Sequence, residues 1–153
     1  DILSFETAPL PEDVAIAGPV TVRLKVSTDA PDTDFTAKLV DVYPPSADFP
    51  AGFDLNITDA IQRLSFRDDG PTRAPVVPGQ VYRLTIRPFP AANLFKKGHR
   101  IRLDISSSNF PRFDVNPGTG ESPASSRRRV TVDNSVFHGG ERASYLVLPV
   151  LPD

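Results

Sequence analysis

The sequence predicts an all-β fold, a sandwich of antiparallel sheets, on three observations. Apolar residues recur at every second position in several separate runs. The 17 prolines are spaced so that few stretches can run ten residues as an uninterrupted helix. Gly and Pro turn signals fall between the alternating runs, the punctuation of short antiparallel strands.

In chain order, Ile2–Phe5 is a short strand candidate, and Ala17-Gly18-Pro19 marks a turn. Val20, Val22, Leu24 and Val26 then alternate with Thr21, Arg23, Lys25 and Ser27, a strand with one buried face. Thr36–Tyr43 is apolar on both faces, with Val40 and Val42 set against Ala37 and Leu39, which predicts a central position. Phe53–Ile57 and Ile61–Phe66 follow as two shorter candidates, then the turns Asp68-Asp69-Gly70-Pro71 and Pro78-Gly79. Tyr82, Leu84 and Ile86 alternate with Arg83, Thr85 and Arg87. After Lys97-Gly98, Ile101, Leu103 and Ile105 alternate with Arg100, Arg102 and Asp104. Asn109–Arg129 has no strand pattern and reads as a long loop. Val130–Val132, the Gly139-Gly140 turn and Tyr145–Val150 close the chain. The predicted core is Val22, Leu24, Leu39, Tyr82, Leu84, Ile86, Ile101, Leu103 and Ile105.

Length and composition bound the function. The 153 residues suit a single domain, 1–153, that buries about two-thirds of its unfolded surface. Cys is absent, which excludes disulfides, thiolate nucleophiles and Cys-ligated zinc. A net charge of -2 gives no general field toward nucleic acid or anionic lipid, so neither is an expected partner. No apolar run approaches the roughly 20 residues that span a bilayer. The opening Asp1-Ile2-Leu3-Ser4 lacks a signal-peptide pattern, which favours a cytoplasmic location. Met is absent altogether, and the expectation is a piece excised from a longer protein.

Few residues of the sequence form a pattern that carries chemistry. No Gly-x-Ser-x-Gly elbow occurs, and Ser106-Ser107-Ser108 lacks the glycines of that strained turn. Only His99 and His138 can serve as bases, and each is expected to bond nearby backbone. Two separated His cannot form a zinc site. Asp29, Asp32 and Asp34 share one strand connection and are a candidate calcium site, set against ordinary turn chemistry; no other cofactor is expected. Arg127-Arg128-Arg129 reads as a solvated loop face or as ion pairs with another domain, set against phosphate binding. Asp41 interrupts the most apolar strand, so an ion pair with Arg is expected. A sugar-binding platform is disfavoured by the absence of Trp and by only three Tyr among ten Phe.

Three strings then point to one family. They are Ser27-Thr28-Asp29-Ala30-Pro31-Asp32-Thr33-Asp34-Phe35 with Ala37–Val42, Phe95-Lys96-Lys97-Gly98-His99-Arg100-Ile101-Arg102-Leu103, and Ser106-Ser107-Ser108-Asn109-Phe110-Pro111-Arg112-Phe113-Asp114-Val115-Asn116-Pro117. Together they resemble the C-terminal non-catalytic domain of the X-Pro dipeptidyl-peptidase and cocaine esterase (CocE/NonD) hydrolases. The ends, Leu3–Thr7 and Leu146–Val150, match as well, so the resemblance covers nearly the whole chain. It implies a jelly-roll sandwich of the galactose-binding-like kind, packed on an α/β-hydrolase domain that precedes it. The Ser-His-Asp triad belongs to that other domain, so nothing catalytic carries over and this chain alone is expected to be inactive. The parent is expected to be a serine hydrolase of peptides or carboxylic esters, one that can be a homo-oligomer. Phe53–Thr58 departs from the pattern in having less Gly around a hairpin. The rival function is an independent carbohydrate- or peptide-binding module.

The expected contact with the missing domain is Asn109, Phe110, Arg112, Phe113 and Asp114. Pro111 cannot donate to a ladder and holds Phe110 extended, which puts two Phe on a loop. Each Phe is worth roughly 2 kcal/mol when buried, so a partner or the domain itself must cover them. Arg112 beside them suits a fork-shaped pairing with a carboxylate of the other domain.

Overall fold

The computed structural model describes residues 1–68, 71–122 and 124–152, leaving the middle of the Asp68–Pro71 turn outside the described residues. Ten strands run in chain order: β1 Leu3–Glu6, β2 Val14–Gly18, β3 Thr21–Thr28, β4 Asp34–Tyr43, β5 Phe53–Arg63, β6 Tyr82–Ile86, β7 Ala91–Phe95, β8 Arg100–Ser106, β9 Asn134–Phe137 and β10 Tyr145–Val147. The only helical pieces among the described residues are two 3₁₀ turns, Leu64–Phe66 and Gly140–Arg142. The all-β expectation therefore holds. No described helix is long and apolar enough to cross a membrane.

The strands form three antiparallel sheets. One is β1-β8-β4-β5, with β4 inside it as its two-faced apolar pattern requires. The second is β10-β3-β6, with β9 also on β3, so that β10 pairs Thr21–Arg23 and β9 pairs Lys25–Thr28. The third, β2-β7, escapes the sequence reading because Val14–Gly18 and Ala91–Phe95 lack the polar/apolar alternation of the other strands.

Alternation decides what is buried. Val22, Leu24 and Val26 of β3 and Tyr82, Leu84 and Ile86 of β6 face Phe35 and Ala37 of β4 and Ile105 of β8 in one cluster. Ile16, Val20, Leu39 and Phe95 make a second under the β2-β7 pair. Truncating Leu84 to Ala would cost about 2–5 kcal/mol, the range for large-to-small changes in a packed core. Ile101 and Leu103 are only half-buried, because β8 lies beside the short edge strand β1.

Two other differences have local causes. Phe53–Ile57 and Ile61–Phe66 are not separate strands. Phe53–Arg63 is one 11-residue strand, accommodated by a register shift opposite Leu39/Val40, and the chain turns off the sheet at Leu64–Phe66. Val130–Val132 is not a strand either. The Val130 amide is spent on the Pro117 carbonyl at 3.0 Å, and the Val130 and Val132 side chains crowd Gly118 so closely that a Cβ there would overlap both. Pairing with β3 begins only at Asn134.

Candidate interface site and the buried polar clusters

The residues expected at an interface lie on the loop that leaves β8, and the structure divides them into two groups. Asp34 and Arg63 are directly opposite in the β4–β5 ladder, as are Lys38 and Asp59, on the face turned away from Phe35 and Ala37. The loop crosses this outer face. Asn109 Nδ2 donates to Asp59 Oδ2 at 2.6 Å, and Arg112 Nη1 donates to Asp59 Oδ1. Asn116 Nδ2 donates to Asp34 Oδ1 at 2.8 Å. Phe113 is half-buried at a hollow of about 300 Å³ with Ile61, Arg63 and Phe66, while Asp114 sits exposed at its rim. The expected external partner of Arg112 is thus replaced by Asp59 of the same chain. Phe110 is the exception, 70% exposed beyond the cis bond to Pro111.

The Asp29, Asp32 and Asp34 carboxylates share a connection but not a site. Asp29 Oδ1 accepts from the Asp133 amide at 2.9 Å, which ties the connection to the chain entering β9. Asp32 is buried and saturated. Its Oδ1 accepts from the Thr33 and Ser65 amides at 3.0 and 3.1 Å, and its Oδ2 accepts from Ser65 Oγ at 2.9 Å and Arg73 Nη2 at 3.0 Å. Asp34 takes a fork from Arg63, Nε at 2.8 Å and Nη2 at 3.0 Å. This hydrogen bond to Asp34, with the nearby charges of Asp34, Asp32 and Asp114, raises the Arg63 pKa despite the opposing cost of burial. Oxygens already filled by guanidinium and amide donors are not arranged as a calcium cradle. No cluster of three His, Cys, Asp or Glu suited to a metal occurs among the described residues. Asp32 and Asp34 stand in an ion-pair network with Arg63 and Arg73.

A second buried cluster went unread in the sequence. Asp41 is fully buried, and by alternation it points inward with Leu39. Arg102 and Arg100 pair with Val40 and Val42 and so face outward, beyond its reach. Its partners are instead His99 Nδ1 at 2.8 Å and Asn93 Nδ2 at 3.1 Å, with the Tyr43 ring 4.2 Å from the imidazole. His99 is delivered by the Lys97-Gly98 turn, whose Gly98 takes a positive φ of 85° that L side chains avoid. The expected Arg partner of Asp41 and the expected backbone partner of His99 are both replaced by this contact. The outward Arg102 forms ion pairs with Asp54 at 2.7 Å and Asp104 at 3.2 Å; burial works against its charged form, but these two carboxylates outweigh it and raise its pKa.

The His–Asp pair is not the base of a serine nucleophile. Ser106 Oγ donates to the Asp1 carbonyl, Ser108 Oγ accepts from the Phe110 amide, and Ser107 is exposed. His138 is exposed and meets the Phe5 ring edge-on at 5.9 Å. A nucleophile, a base and oxyanion donors are not assembled among the described residues.

One open feature of the surface is apolar. Between the β1–β8 edge and β10, a groove of about 280 Å³ is floored by Leu24 and Ile105 and walled by Phe5, Leu103, Val136 and Leu146. Ile2, Leu3, Tyr145 and Val147 are exposed large apolar residues on the two strands that border it and on the residue leading into β1.

Comparison with known proteins agrees with this division of labour. Residues 1–147 match the family described as the X-Pro dipeptidyl-peptidase C-terminal non-catalytic domain. The chain is 38% identical to a cocaine esterase of Rhodococcus sp. (strain MB1 Bresler), over 99% of this chain but 26% of that protein. A putative serine esterase of Mycobacterium bovis is 31% identical over 98% of this chain and 24% of its own length. Among solved structures, an α-amino acid ester hydrolase superposes with a TM-score of 0.93 at 34% identity, covering 99% of this chain and 26% of that one. An aminopeptidase from a marine sediment Thaumarchaeota archaeon gives 0.89 at 28% identity, with the same coverage. The chain thus spans about a quarter of the length of the relatives it matches.

Proposed function

The chain belongs to the X-Pro dipeptidyl-peptidase C-terminal non-catalytic domain family, and from that premise we propose that it packs on and shapes an α/β-hydrolase domain preceding it in a longer serine hydrolase. The relatives' names support a parent reaction among ester and amide hydrolyses, which a triad on the other domain would carry. Self-association, where it occurs, would belong to that longer protein.

The carrying observation is the contrast between paired buried carboxylates and exposed large apolar side chains. The buried carboxylates Asp32, Asp34, Asp41 and Asp59 are paired within the chain, whereas Phe110, Ile2, Leu3, Phe5, Tyr145 and Val147 stay exposed. Leaving such side chains in water gains the domain nothing, and an open apolar groove such as the one lined by Phe5, Leu103 and Leu146 is the mark of an interaction surface. The loop Asn109–Asp114 supplies Phe110 to this contact, while Asn109 and Arg112 brace it from beneath.

The test is a longer hydrolase cut immediately before residue 1 and assayed with an aryl ester, with and without the 153-residue chain supplied separately. The reading expects a lower melting temperature and turnover for the truncated enzyme, partly restored by the added chain. Unchanged stability and unchanged kcat/KM after truncation would overturn it.

A further inference from the structure

The outer face of the β10-β3-β6 sheet carries a second, chemically different surface. Alternation sends Arg23 and Lys25 of β3 and Arg83 of β6 outward, with Tyr145 opposite Arg23 on β10. With Arg67 they line an open cleft of about 620 Å³, where the only carboxylates among the described residues are those of Asp68 and Glu141. Lys25 and Arg83 are directly opposite in the ladder, an arrangement of like charges that costs stability unless an anion lies across it.

Five arginines elsewhere are matched to carboxylates: Arg63 to Asp34, Arg73 to Asp32, Arg100 to Glu6, Arg102 to Asp54 and Arg112 to Asp59. On this face the donors go to uncharged groups. Arg23 Nη1 bonds the Tyr145 hydroxyl at 3.2 Å, and Lys25 Nζ bonds the Glu141 carbonyl at 2.6 Å. Arg67 bonds the Leu64, Ala74 and Pro75 carbonyls and lies over the Tyr82 ring. These contacts fix the cations in place without neutralising them. The positive face belongs to a chain whose net charge is -2, so it is a local concentration rather than a reflection of composition.

We propose that this cleft is a docking surface for an extended acidic polypeptide segment with carboxylates at alternate positions. Arg23 and Lys25 are two apart on one strand, roughly 6.8 Å, which is also the spacing of same-side residues in an extended peptide. The cleft is wider than a single phosphate needs, and planar guanidinium groups suit carboxylates in pairs. Both edges of β3 are already paired, so recognition runs through side chains rather than by strand addition.

The experiment titrates the 153-residue chain with a fluorescent acetylated peptide of alternating Glu and Ser. Controls are the same residues in two blocks, inorganic tripolyphosphate, and a single-stranded oligonucleotide. Saturable binding that prefers the alternating peptide, weakens with added salt and falls at least about tenfold in Arg83→Glu supports the proposal. Arg23→Gln serves as a second variant, and both are checked for an unchanged melting temperature. Absence of saturable binding, equal affinity in two folded variants, or tighter binding of either polyphosphate control would overturn it.

Discussion

His99 Nδ1 lies 2.8 Å from Asp41 Oδ1, with side-chain exposures of 9% and 0%. The contact joins the turn before β8 to the interior face of β4, and Asn93 of β7 completes it. It is a clip between two sheets, built where the second apolar cluster meets the first sheet.

Removing one partner should therefore be severe. His99→Ala would leave a buried carboxylate with only the Asn93 amide, a loss of about 3–5 kcal/mol. For a chain of this size that lowers the melting temperature by on the order of 10 °C. Replacing both Asp41 and His99 with Leu should recover much of the loss. A His99→Ala melt within a degree of the parent would show that the contact contributes nothing.

Arg63→Ala should cost on the order of 2–3 kcal/mol, below the full buried-pair range because the Arg63 side chain is 25% exposed. The folded state raises the Arg63 pKa. Its contribution is therefore complete below the guanidinium's unfolded value and is lost only as pH rises through the folded value, in strongly alkaline solution. Urea melts of parent and variant should differ by the same amount at mildly acidic and mildly basic pH. A gap that closes between those conditions would contradict this assignment.

Calcium at millimolar concentration should leave the melting temperature where chelator leaves it. Ligand that binds only the folded state must raise it, but Asp32 and Asp34 already hold Ser65, Arg73 and Arg63. A calcium-dependent rise that disappears in Asp32→Asn would restore the metal site.

The isolated chain should not turn over a small activated ester above background, and Ser107→Ala should change nothing. Ser107 is exposed, and both histidines are engaged elsewhere or apart from it. Saturable hydrolysis lost on Ser107→Ala would reverse the non-catalytic reading.

The long strands were legible because period two survives in Val22–Val26, Tyr82–Ile86 and Ile101–Ile105, where one face is wet. What was lost depended on the third dimension. Asp41 reads as a candidate for Arg because Arg is plentiful nearby in sequence, yet alternation sends Arg100 and Arg102 to the opposite face. That much was recoverable from the pattern; the approach of His99 and Asn93 was not, since it needs the β2-β7 pair in place. Asp32 and Asp34 likewise look like free turn carboxylates until Arg63, Ser65 and Arg73 arrive from beyond β4. Val130–Val132 failed because the cost of crowding Gly118 is invisible to local propensity.

The loop after β8 can be dissected with two substitutions, because its residues have different partners. Arg112 is about half-exposed but its partner Asp59 is nearly buried, so Arg112→Ala should destabilise the isolated chain by about 1 kcal/mol. The parent protein should lose a similar amount, since the contact lies within this domain. Phe110 is different: with 70% of its surface in water, it contributes little to its own sandwich. Phe110→Ser should therefore leave the isolated chain's melting temperature unchanged, and even raise its solubility. In the longer hydrolase the same change should lower melting temperature or turnover, up to roughly 2 kcal/mol if the ring is fully covered there. Loss of stability in the isolated chain on Phe110→Ser would place the ring in this domain's own core. An absence of effect in both contexts would remove Phe110 from the interface, and the apolar groove beside β1 would then have to carry the contact alone.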